Sequence, residues 1–146
     1  MSKQVFNKQA GIVKALAHPS RLEIIHLLRT HNLTVTQMTK MLGVRQAYVS
    51  QQLLILKRAK VVTARRDGKE MYYSVRDPRI LDSCDALYSL VSEKPLTDAP
   101  EPVVIDPVCG MKLTPSGAIH IAEYNGVRHY FCGKGCLKEF YANHQI

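Results

Sequence analysis

The 146-residue sequence predicts a mainly α fold with small β: a winged helix-turn-helix of order α-α-α-α-β-β-α, then a separate ββα cysteine module. Three observations predict it. Thr34-x-x-Gln37 is a helix-starting capping box, and Leu42-Gly43-Val44 is the apolar-Gly-apolar turn that joins two helices at an angle. Strand-rich stretches flank Asp67-Gly68, a hairpin signal immediately after the second of those helices. Beyond a proline-rich stretch, Cys109, Cys132 and Cys136 stand in a Cys-x22-Cys-x3-Cys pattern with glycines beside each cysteine.

Residues 4–17 carry a helical period, with Val5, Ile12, Val13 and Leu16 on one side. Pro19 suits the first turn of a second helix, roughly Ser20 to Arg29, which is expected to bury Leu22, Ile25 and Leu27 or Leu28. His18, His26 and His31 lie in or beside these helices, where no second ligand stands at helical spacing, and read as boundary histidines.

The fourth helix is expected over Gln46 to about Arg58, its buried stripe being Val49, Leu53 and Leu56. Arg45, Gln46, Tyr48, Ser50, Gln51 and Gln52 are left mostly on the other faces. Amides and guanidinium groups read adenine and guanine edges in a major groove, so this is the expected recognition helix. Val61–Arg66, the Asp67-Gly68 turn and Lys69–Val75 form the ribbon that follows it. Arg65, Arg66 and Lys69 crowd its tip, placed for phosphate or minor groove.

Pro78 to Ser92 resumes a helical period through Ile80, Leu81, Cys84, Leu87, Tyr88 and Val91. A seam from this segment and the first helix is too apolar to leave exposed on so small a domain. It predicts a homodimer, hence two reading helices about one duplex turn apart and a palindromic double-stranded DNA operator. Cys84 lies on that apolar stripe and reads as a small buried hydrophobe, or as a redox or persulfide switch.

The net charge of +8 is uneven. Residues 1–92 hold 15 Lys/Arg against 6 Asp/Glu, net +9; residues 93–106 hold 1 against 4, net −3; residues 107–146 hold 4 against 2, net +2. The excess sits on the winged-helix part, as expected of a protein that binds a phosphate backbone. No apolar run approaches the roughly 18 residues of a membrane span, and the N-terminus lacks an apolar signal core, so a cytoplasmic protein is expected. Four cysteines in a reducing compartment point to metal or thiol chemistry rather than disulfides. No nucleophile, base and orienting group recur at a recognisable spacing, and there is no Gly-rich phosphate loop. Neither an enzyme nor a small-molecule substrate is expected.

Three segments carry a resemblance: Lys14-Ala15-Leu16-Ala17-His18-Pro19-Ser20-Arg21-Leu22-Glu23-Ile24-Ile25, Val49-Ser50-Gln51-Gln52-Leu53-Leu54-Ile55-Leu56, and Arg65-Arg66-Asp67-Gly68-Lys69-Glu70-Met71-Tyr72-Tyr73-Ser74-Val75. In this order they resemble the ArsR/SmtB family of dimeric winged-helix repressors over residues 8–92. Two positions depart from the family pattern. Gln52 stands where the family usually has His, and Lys60 where it usually has the Gly that ends the recognition helix. The cysteine pair that many members carry on the first helix of the helix-turn-helix is absent, so any metal sensing is expected elsewhere.

Pro95, Pro100 and Pro102, with acidic and small residues around them, mark residues 93–105 as a linker, between a domain at 1–92 and a module at 106–146. In that module Asn125-Gly126 is the turn of a hairpin, and a short helix is expected over Leu137–Asn143. A unit of about 40 residues buries little core and usually needs a staple. Asp106-Pro107-Val108-Cys109-Gly110-Met111, Tyr130-Phe131-Cys132, Cys136 and Phe140 are similar to a YHS domain of the TRASH-like group, treble-clef-like metal-binding modules. The resemblance implies Cys109, Cys132 and Cys136 as metal ligands. Three soft sulfurs favour Cu(I). Zn(II) would want a fourth donor, for which His129, ahead of His120 and His144, is available. The expectation is a metal-responsive repressor, with a thiol-based redox or persulfide response as the alternative.

Overall fold

The computed structural model describes residues 2–92 and 101–145, so the expected linker lies outside the described residues over 93–100. The chain sorts into two compact units. One holds the residues through Met38 and Gln46–Val91; the other holds Thr39–Arg45 and the residues from Ser92 onward.

The winged-helix elements follow in the expected order: α1 (Lys3–Leu16), α2 (Pro19–Leu27), α3 (Val35–Leu42), α4 (Gln46–Arg58), β1 (Val62–Asp67), β2 (Glu70–Val75) and α5 (Pro78–Val91). Local chemistry sets each start. His18 caps α2, its Nδ1 accepting the Ser20 N–H at 3.1 Å, with Pro19 behind it in the first turn. Thr34 and Gln37 form the reciprocal capping box: Thr34 N–H donates to Gln37 Oε1 at 2.9 Å and Gln37 N–H to Thr34 Oγ1 at 3.2 Å. Ile24, Ile25, Leu27, Val49, Leu53, Leu56, Val61 and Val62 make the core. Leu22, expected inside, is 41% exposed, because α2 turns Ile24 and Ile25 inward instead.

Helix α4 ends in a Schellman motif. Val61 N–H bonds Leu56 O at 2.9 Å and Lys60 N–H bonds Lys57 O at 3.0 Å, with Leu56 and Val61 both buried beneath the turn. The motif requires a left-handed residue, and here Lys60 supplies it at φ +60°.

The wing is antiparallel, Val62 pairing with Val75 through Asp67 with Glu70. Its two-residue loop is therefore Gly68-Lys69, one position later than the expected Asp67-Gly68. Gly68 is the residue at positive φ (+62°), which suits the first loop position of a type II′ turn and lets Asp67 stay in the strand. Leu33 adds an isolated antiparallel bridge to β2 that the sequence does not reveal, exchanging two backbone hydrogen bonds with Tyr73.

The second unit contains β3 (Val104–Ile105), β4 (Lys112–Leu113), β5 (His120–Tyr124), β6 (Val127–Phe131) and α6 (Lys134–His144). β3 pairs with β4, and β5 with β6, both antiparallel. Asn125 and Gly126 are both at positive φ (+52° and +75°), as the expected hairpin turn demands. Helix α6 starts three residues before the expected Leu137, after Gly133 as N-cap, which places Cys136 in its first turn. Phe131 and Phe140, ring centroids 5.2 Å apart, anchor the small core with Met111 and Ala122.

Candidate metal centre and nucleic-acid interface

The β3–β4 segment carries the first half of the cluster. Asp106 N–H bonds Met111 O and Gly110 N–H bonds Asp106 O, both at 2.9 Å, closing a tight loop that presents Cys109. The end of β6 and the first turn of α6 carry the second half, Cys132 and Cys136. Cys109 Sγ lies 3.5 Å from Cys132 Sγ, and Cys132 Sγ 3.6 Å from Cys136 Sγ. One ligand atom from each of Asp106, Cys109, Cys132 and Cys136 lies within 4.8 Å of every other.

Cys132 and Cys136 are buried and Cys109 forms the exposed rim. Asp106 is wholly buried. Its Oδ1 accepts the N–H groups of Val108 (2.8 Å) and Cys109 (3.2 Å), and its Oδ2 accepts that of Cys132 (2.8 Å). The three thiols form a chain of S–H···S contacts through Cys132. Hydrogen bonding from Cys132, then Cys136, pulls Cys109 down to about 2. Cys132 and Cys136 are pushed up, first by their hydrogen bonds with Cys109 and further by burial.

Three convergent sulfurs fit a soft or borderline ion, the class for which thiolates are the matching ligands. His129, available as a possible fourth donor for Zn(II), is not in this group. Its ring packs on Phe140 at 4.9 Å, on which His144 also packs at 4.1 Å, and His144 Nδ1 is 2.8 Å from Phe140 O. The fourth group at the cluster is Asp106, which the sequence reading passed over. Its signal was present: an Asp three residues before the first cysteine is spaced to accept that cysteine's N–H.

On the winged-helix side Arg45, Gln46, Ser50, Gln51, Arg65, Arg66 and Lys69 are exposed, as a nucleic-acid interface requires. Two of the expected reading residues face elsewhere. Tyr48 is half-buried, its hydroxyl 2.7 Å from Ser20 Oγ of α2. Gln52, expected on an exposed face, is only 7% exposed, and its Oε1 accepts Arg21 Nη1 at 2.9 Å. It points inward because α4 buries Gln52 alongside Val49, Leu53 and Leu56 rather than a narrow aliphatic stripe.

Cys84 is half-buried on α5, and burial, followed by the neighbouring Asp85, pushes its thiol up against the opposing pull of Arg29. Asp85 is itself bound by Arg29 Nη1 at 2.9 Å. Among the described residues no helix is long and apolar enough to cross a membrane.

Two family models match the chain: the bacterial regulatory protein arsR family over residues 18–64 and the YHS domain over residues 104–145. The HTH-type transcriptional regulator Rv0081 of Mycobacterium tuberculosis is 39% identical over 82 residues, 56% of this chain and 72% of that protein. Its crystal structure superimposes with a TM-score of 0.55 over 62% of this chain and 91% of that one, at 35% identity. The transcriptional repressor PagR of Bacillus anthracis is 42% identical over 72 residues, 49% of this chain and 72% of that protein. Its crystal structure gives a TM-score of 0.54 over 59% of this chain and 99% of that one, at 36% identity. A probable mercury resistance operon repressor of Streptomyces lividans is 38% identical over 73 residues, 50% of this chain and 58% of that protein. With the capped helix-turn-helix, the basic wing and the cysteine cluster, these similarities identify the chain as a transcriptional regulator of the ArsR family that carries a C-terminal YHS domain.

Proposed function

We propose that this chain is a homodimeric, cytoplasmic repressor of a palindromic operator, and that a soft or heavy metal ion, Cu(I) foremost and Zn(II) second, held by Cys109, Cys132 and Cys136, lowers its operator affinity. The observation that carries this reading is the convergence of three sulfurs 109–136 in a chain that is otherwise an ArsR-type regulator. When bound, such an ion supplies a cross-link between the Cys109 loop and the start of α6. Arg45, Gln46, Ser50 and Gln51 read base edges; Arg65, Arg66 and Lys69 hold phosphates. Tyr48 and Gln52 act from inside, fixing α4 against α2.

The dimer is supported by α1 and α5. Val5, Phe6 and Val13 on α1 are about half exposed (47%, 50% and 57%), and α5 buries no residue at all in the single chain. A coupling of roughly 1 to 3 kcal/mol between ion and operator suffices for regulation. The test is an operator titration with and without Cu(I) and Zn(II), repeated with Cys109→Ser. Affinity that falls with ion in the parent chain and stays constant in the variant supports the reading. Affinity unchanged in every condition removes the sensor and leaves the DNA-binding regulator.

A thiol switch is the second reading, favoured by the Sγ–Sγ distances of 3.5 and 3.6 Å, which lie close to the approach needed for a disulfide. Mass spectrometry of the chain after mild oxidant or sulfane sulfur, compared with the ion-loaded chain, separates the two.

A further inference from the structure

We infer that Asp106 is a positioning residue that assembles the three-sulfur cage before any ion arrives, and that it is not itself a ligand; this rests on the metal-binding reading above. The cage is made of two pieces distant in sequence, the loop of Cys109 and the β6–α6 junction of Cys132. Asp106 spans both. Oδ1 accepts the Cys109 N–H at 3.2 Å, and Oδ2, across 26 positions, accepts the Cys132 N–H at 2.8 Å. A third bond, from Val108 N–H to Oδ1 at 2.8 Å, fixes the carboxylate in the loop that carries it.

The lone pairs decide against ligation. Each carboxylate oxygen has two principal acceptor sites, and Oδ1 has both filled by backbone N–H groups. Oδ2 has one filled, and N–H donation to both oxygens draws electron density from the group, leaving it a weaker donor than three adjacent sulfurs for a soft ion. The burial is equally specific. Asp106 is 0% exposed and Cys132 1%, so the Cys132 N–H has no access to solvent and depends on that oxygen. A site held this way binds its ion without first ordering its own backbone, the general route by which preorganisation raises affinity.

Amide hydrogen exchange on the metal-free, full-length, reduced protein tests this without any ion. The Cys109 and Cys132 amides should be protected on the order of 100-fold or more over an unstructured peptide. Asp106→Asn, which sets an NH2 group against one or two backbone donors, should cut that protection at least about tenfold while α4 and wing amides stay unchanged. Cu(I) added as a probe should bind the Asn variant about tenfold or more weaker, with an X-ray absorption spectrum of sulfur-only coordination in both proteins. Unprotected amides in the metal-free parent overturn the proposal even if the variant does not fold. An oxygen donor present in the parent and lost in the variant also overturns it, by making Asp106 a ligand. Should the parent fail to bind Cu(I) or Zn(II), the metal reading falls, and the exchange pattern still decides whether Asp106 builds the cage.

Discussion

Arg21 of α2 donates through Nη1 to Oε1 of Gln52 on α4 at 2.9 Å, and through Nε to the carbonyl of Ala15 at the end of α1. One guanidinium therefore ties the last turn of α1, one of the two helices of the proposed dimer seam, to the proposed reading helix. Replacing Gln52 with Leu removes the acceptor of Nη1 on a half-buried cation and leaves it only the Ala15 carbonyl, a cost of about 1 to 3 kcal/mol. Urea unfolding of Gln52→Leu should register that loss. Its operator affinity should fall while the dimer persists in sedimentation; an unchanged affinity would show that the tie is not needed for reading.

Lys60 holds the left-handed position of the Schellman motif at φ +60°, where a Cβ is disfavoured. Lys60→Gly relieves that strain, partly offset by the greater conformational entropy glycine gives the unfolded chain, for a net gain of about 0.5 to 1 kcal/mol. A rise in the denaturation midpoint at constant m-value checks it.

Leu87, Leu90 and Val91 are 57%, 80% and 81% exposed on α5. Leu87→Asp places a charge in the proposed seam, and sedimentation equilibrium should find a dimer for the parent and a monomer for the variant. The folded helix content should be retained, since Leu87 contributes little to the core of the single chain.

The thiol cluster sets a pH dependence for ion binding. Cys109 is held down by hydrogen bonds from Cys132 and Cys136, whereas Cys132 and Cys136 are pushed up, chiefly by their hydrogen bonds with Cys109, so the trio as a group retains two protons at neutral pH. Ion binding must displace those two protons, so affinity should rise with pH, by up to about 100-fold per unit, and weaken in acid. Calorimetry in buffers of different ionisation enthalpy counts the protons; release of none, or a stronger affinity at lower pH, would contradict the assignment.

The proposed phosphate contacts from the wing predict a salt signature. Arg65→Ala, Arg66→Ala and Lys69→Ala should each weaken operator binding across sequences and reduce the slope of log affinity against log salt by about 1.8 in the proposed dimer, one phosphate contact per subunit at about 0.9 each. Binding titrations at several salt concentrations measure it, and a slope unchanged by all three substitutions would remove the wing from the interface.

Much of the fold was legible because its signals are local. The Thr34/Gln37 capping box, Gly43 in the helix-turn-helix turn, the Asn125-Gly126 turn and the apolar period of α4 act within a few residues of chain, and each formed where expected. The wing turn moved by one residue because a type II′ loop needs positive φ at its first position, and the same Gly68 serves either register. Helix α6 began early because Gly133 serves as its N-cap, a role glycine fills without a characteristic pattern.

The sequence by itself determined that a winged helix precedes a cysteine module, and which three sulfurs stand in that module, since composition, spacing and caps are written along the chain. Only the tertiary structure decided which way Gln52 faces, that Leu33 pairs with Tyr73, that His129 packs on Phe140, and that Asp106 joins Cys109 to Cys132. The reason is physical. Each of those outcomes depends on partners 11 to 40 residues away whose approach is fixed by packing, and no period or turn signal within one segment encodes it.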